Sequence, residues 1–143
     1  MDYTKNAEIK QGSWFATLEQ PYIVLRSEKD LEQYIQYVVA GQHSDIARVP
    51  DSYWKSLESQ VRESYKKFDK KFFETKDLII AMVDQGSSRV TYEVVNYTIY
   101  EGLLTINIKK DMPMILTMDF VSTVIYLAMD KDAYVKMVHV SVT

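Results

Sequence analysis

Cysteine is absent from the 143-residue chain, which removes disulfides, thiolate metal sites and a cysteine nucleophile. Glycine and proline are scarce, four and three in all, so no flexible linker divides the chain, and neither an internal repeat nor a low-complexity tract is present. No apolar run approaches the ~20 residues of a membrane-spanning helix. A phosphate-binding glycine loop is missing as well: Gly86 stands alone, without a second glycine or a following lysine-serine pair. Positive charge is also short, with 17 Lys and Arg against 20 Asp and Glu and a net charge of -3. Neither a nucleic-acid backbone nor a membrane surface is therefore expected as a partner. The opening run MDYTKNAEIKQGSWF lacks the apolar centre of a signal peptide. The compartment stays open on this reading: cell envelope or secreted if a signal has been removed, cytoplasmic otherwise.

What is present is the composition of a folded domain, 47% hydrophobic and 26% charged, in a chain of single-domain size. Residues 1–12 read as a polar, flexible lead-in closed by Gly12, and residues 13–143 as one domain. Trp14, Ala16 and Leu18 alternate like a strand, and Tyr22 to Leu25 form a second short apolar run. Ser27 followed by Asp30 gives a capping signal, after which Leu31, Tyr34, Ile35 and Val38 recur at helical spacing until Gly41. Residues 42–50 read as a loop. Pro50 and Asp51 open a second helix whose stripe is Tyr53, Trp54, Leu57, Val61 and Tyr65, and which is expected to pack on a sheet.

From Asp77 the period changes. Leu78 to Val83 is apolar on both parities, as in a strand covered on both faces. The next strand changes phase, which predicts a bulge at Val94 and Val95. Tyr100-Glu101-Gly102 marks a tight turn, and Leu104, Ile106 and Ile108 then alternate with polar residues. Further strands run over about 120–129 and 138–142. The fold expected is α+β: an antiparallel sheet of about five to seven strands, a meander in its C-terminal half, packed with two main helices, with strands 77–84 and 119–129 central.

Candidate chemistry is thin. His139 falls on the polar parity of a strand, the position of a solvated histidine. His43-Ser44-Asp45 holds the residue types of a hydrolase triad, but a triad is assembled across a fold, not from adjacent residues. Asn96-Tyr97-Thr98 matches a glycosylation acceptor inside a predicted strand, a pattern common by chance. Lys66, Lys67, Lys70, Lys71 and Lys76 accompany Phe68, Phe72 and Phe73, a mixture able to bind nucleic acid. Interleaved Glu63, Asp69, Glu74 and Asp77 favour a solvated helix face instead, with the phenylalanines in the core. No cofactor or metal is expected. The best contact surface is the segment containing Met112, Met114, Leu116, Met118 and Phe120, since methionine-rich surfaces adapt to partners, although methionine more often fills irregular cores.

The run from Phe68 to Ile80, FDKKFFETKDLII, is followed in order by Gln85-Gly86-Ser87-Ser88, Leu104-Thr105-Ile106-Asn107-Ile108, Pro113, Thr117-Met118-Asp119-Phe120 and Ile125 to Lys131. Over residues 53–142 this succession resembles a domain of exported lipoproteins from Gram-positive gut bacteria, with Phe68 where that family usually has tyrosine. The family is distantly similar to the C-terminal domain of an accessory lipoprotein that assists assembly of a surface protease complex. The resemblance implies a non-enzymatic, chaperone-like or protein-binding module of the cell envelope, with no catalytic residue to carry over. The chain shows no lipoprotein signal or lipid-accepting cysteine, its departure from the family. The alternative expectation is a small inhibitor, phage anti-defence or antiprotease, acting by occlusion.

Overall fold

The computed structural model describes residues 6–11, 21–45, 51–119 and 121–143, with side chains of 41–45 outside the description. The strand expected at Trp14, Ala16 and Leu18 lies outside the described residues. In chain order the elements are β1 (Ala7–Gln11), β2 (Tyr22–Leu25), α1 (Glu28–Asp45), α2 (Asp51–Tyr65), α3 (Lys70–Thr75), β3 (Lys76–Gly86), β4 (Thr91–Tyr100), β5 (Leu103–Asp111), β6 (Val121–Asp130), a 3-10 turn (Lys131–Ala133) and β7 (Met137–Val142).

Among the described residues, seven strands and two main helices make an α+β fold, as the periodicities predict. The strands form two sheets, one ordered β1-β6-β3-β2 and the other β4-β5-β7. Strands β3 and β6 are central, as expected. Ala7–Gln11, read from sequence as part of the flexible lead-in, is instead an edge strand paired antiparallel with β6. The C-terminal half is not a plain meander: β6 joins the first sheet, and β7 returns parallel to β5 in the second.

Alternation along β3 and β6 explains the layering, because successive side chains of a strand point to opposite faces. Leu78, Ile80, Val124 and Tyr126 pack against Leu31, Tyr34, Ile35 and Val38 of α1 and Val61 and Tyr65 of α2. Ile79, Ala81, Val83, Ile125, Leu127 and Met129 pack instead against Leu104, Ile106 and Ile108 of β5. The first sheet is thus the middle of three layers, helices on one side and the second sheet on the other. That double cover is why β3 reads as apolar on both parities.

Local signals are realised closely. The Asp30 amide donates to Ser27 Oγ at 3.1 Å, and the Asp30 carboxylate accepts from the Arg26 amide at 3.0 Å, fixing the start of α1. The helix passes through Gly41 to Asp45, four residues beyond the expected stop; a glycine costs a helix only about 1 kcal/mol against alanine, too little to end it. The Asp69 carboxylate accepts from the Phe72 amide at 2.9 Å and caps α3, which hands the chain directly to β3. Phe68 and Phe73 are buried. The predicted bulge appears as a register shift between Val94 and Asn96.

Candidate functional site

Between β5 and β6 the chain leaves the sheet. The β4–β5 ladder ends at Thr91 opposite Asp111, and Pro113, which has no amide hydrogen, cannot extend it. Over residues 112–118 five large apolar side chains stand in solvent: Met114 and Met118 fully, Ile115 at 71%, Met112 at 57% and Leu116 at 44% exposure. Scattered exposed hydrophobes are ordinary on a protein surface, whereas a contiguous run of them is the pattern of an interaction site. Phe120, which belonged to the same sequence-based candidate, lies outside the described residues.

The loop is tied down at its far end by the turn between β3 and β4. Ser87 and Thr117 hydroxyls lie 2.6 Å apart, the Thr117 amide donates to Ser87 Oγ at 3.0 Å, and the Ser88 amide donates to the Asp119 carboxylate at 3.2 Å. Thr117 Oγ1 also donates to Asp119. Hydrogen bonds from the Ser88 side chain, from Thr117 and from the Ser88 amide hold the Asp119 carboxyl down at about 2. At its near end the loop follows Lys110, whose ammonium reaches Asp84 of β3 at 2.8 Å, while the Tyr92 hydroxyl donates to the same oxygen at 2.9 Å. Burial by itself raises the Asp84 carboxyl, but the bonds from Lys110, Tyr92 and the Gln85 amide outweigh it and leave it lowered. Burial, then the bond to Asp84, pushes the Tyr92 phenol up to about 12. These contacts join β3 to β4 and β5 across the two sheets, so the apolar loop projects from a braced base.

The other candidates disperse. His139 is exposed on β7, in register with Thr105. His43, Ser44 and Asp45 are consecutive residues at the end of α1, and their side chains lie outside the description. Lys66 pairs with Glu63 at 2.9 Å and Lys67 crosses to Glu8 of β1 at 2.5 Å, with Lys76 paired to Asp130. Asp77, read from sequence as one of the solvated interleaving acids, is instead buried at 2% exposure. It takes Arg26 at 2.8 Å and Lys131 at 2.7 Å, tying β2 and the 3-10 turn to β3. Asn96 accepts from the Asn107 side-chain amide at 2.6 Å across the hairpin.

On the helix side, Tyr65 and Tyr126 hydroxyls lie 2.7 Å apart in the core, and burial raises both phenols. The cleft of about 320 Å³ beside them is lined by Glu8, Lys67, Phe68, Leu78 and Tyr126. Phe68, Leu78 and Tyr126 at its floor are buried, and Lys67 and Glu8 are paired with each other. Among the described residues no three His, Asp or Glu side chains gather as a metal site, and no helix is long and apolar enough to cross a membrane.

Sequence reasoning named the methionine segment as a candidate contact surface, without Ile115, which is also exposed, and without the clip at its base. The signal for the clip was present as hydroxyl-rich Ser87-Ser88 and Thr117-x-Asp119, segments about 30 residues apart that only folding brings together. Comparison with protein-family models, curated proteins and solved structures finds no match to this chain.

Proposed function

We propose that the chain is a non-enzymatic protein-binding module, accessory or chaperone-like in role, which engages its partner through the loop at residues 112–118. The observation that carries this reading is the solvent exposure of Met112, Met114, Ile115, Leu116 and Met118 on one braced loop. Thioether side chains adapt to irregular apolar surfaces, and a loop held at both ends loses less conformational entropy on binding. Placement in a bacterial cell envelope is supported by the resemblance to exported lipoprotein domains. Two of the segments that carry that resemblance, Gln85–Ser88 and Thr117–Asp119, are the ones joined in the clip.

The test is site-specific photocrosslinking in native extract, with the photoreactive residue at position 114 or at exposed Lys71 on α3. A discrete adduct at 114 that is absent at 71, and lost when Met118 is replaced by Asp, is the expected result. Equal labelling at both positions, or turnover of a small molecule without any adduct, would discard the proposal. The same projecting loop also suits an inhibitor that occludes a partner's cleft. Adding the purified protein to the captured partner separates the roles: an inhibitor lowers the partner's activity, an accessory module maintains or raises it.

A further inference from the structure

We infer that the 112–118 loop is a site of reversible methionine oxidation, at which a hydroperoxide converts an apolar surface into a polar one without disturbing the fold. The modification stands on the geometry alone; its consequence for a partner rests on the protein-binding reading above. Thioether oxidation follows the access of peroxide to sulfur, and with no cysteine in the chain no thiol competes for the oxidant. Met114 and Met118 are fully exposed and Met112 more than half exposed, whereas Met129 is buried at 7% and Met82 packs against the helix-side core. Met137 of β7, at 60% exposure, is a separate accessible sulfur; the other three exposed ones sit together on the loop, the surface with the most to lose by becoming polar.

In the reaction the sulfur lone pair attacks the peroxide, the O–O bond breaks and an S–O bond forms. Sulfur is oxidised by two electrons and the peroxide is reduced; the proton of the transferred oxygen passes to the departing one, which leaves as water from hydrogen peroxide or as the alcohol from an organic hydroperoxide. A dithiol-dependent sulfoxide reductase reverses the step, returning the thioether and water as two thiols become a disulfide. The sulfoxide adds a strong dipole and hydrogen-bond acceptor at each position. The clip is made by Ser87, Ser88, Thr117 and Asp119, none of which carries sulfur. The loop consequently keeps its attachment while its apolar character is lost.

The experiment treats the full chain with hydrogen peroxide and maps oxygen addition by peptide mass spectrometry, following thermal unfolding and retention on a hydrophobic-interaction column. A Met137→Leu background removes the exposed methionine of β7. Met114 and Met118 are expected to oxidise at least about tenfold faster than Met129, with Tm held within about 2 °C. Retention should fall, and treatment with reductases for both sulfoxide epimers should restore it. A Met112→Leu, Met114→Leu, Met118→Leu variant stays apolar and should show no fall. Oxidation of Met129 at the loop's rate, collapse of the fold on loop oxidation, or unchanged retention would overturn the inference. If the surface change occurs but no loop-dependent crosslink forms in the native extract, the inference stands and the failure belongs to the protein-binding reading.

Discussion

At Asp77 a single buried carboxylate holds a guanidinium and an ammonium whose positions in the sequence are 51 and 54 residues away. Asp77→Asn keeps the shape but leaves Arg26 and Lys131 without their countercharge. Removing one partner of a buried ion pair costs about 3 kcal/mol, and here Arg26 and Lys131 retain some access to water, which moderates the loss. A lower urea midpoint at unchanged slope is the expected measurement. Asp119 supplies a pH dependence of opposite character, local and exposed. Its folded-state value, about 2, lies below the ordinary aspartate range, so the clip is fully formed above about pH 4 and weakens as acid protonates the carboxylate toward pH 2. Carbonyl NMR of Asp119 should titrate near 2, with amide exchange at Ser88 and Thr117 rising over the same interval. A titration near 4 would show that the clip does not form in solution.

The β4–β5 hairpin shows how an element is set by a few backbone angles. Glu101 and Gly102 both have positive φ, 50° and 84°, the requirement of a two-residue hairpin turn matched to strand twist. Glutamate is strained there and asparagine much less so, so Glu101→Asn should stabilise by about 0.5–1 kcal/mol. Gly102→Ala should destabilise by about 1 kcal/mol, since a side chain at positive φ is strained and its Cβ would meet Lys136 at 3.1 Å. Paired chemical denaturation curves check both. This turn, the β4 bulge and the α1 cap were legible because each depends on neighbours in sequence. Strand β1 was not: it is only five residues long, and Glu8 and Lys10 on one face gave it the look of a solvated segment. The end of α1 was misread because Gly41 was given the weight of a terminator.

Across the whole molecule, one sheet serves two cores, and adjacent residues of β3 report on each. Ile79 faces the second sheet and Ile80 faces the helices, both fully buried. Ile79→Ala and Ile80→Ala should each cost about 2–5 kcal/mol and shift one cooperative transition with the same urea slope, because neither core survives without the shared middle sheet. Separate transitions would show that the layers unfold independently. By itself the sequence determined the periods, turns and bulge, and with them the α+β class and the central place of β3 and β6, since these follow from local geometry and the alternation of side chains. It also marked out the methionine segment. Only the tertiary structure decided that the strands divide between two sheets with β7 parallel to β5, because an alternating strand buries its apolar face equally well against either layer. It likewise decided that Asp77 is buried between distant cations and that the methionines of the 112–118 loop face water, because burial depends on what the rest of the chain brings alongside.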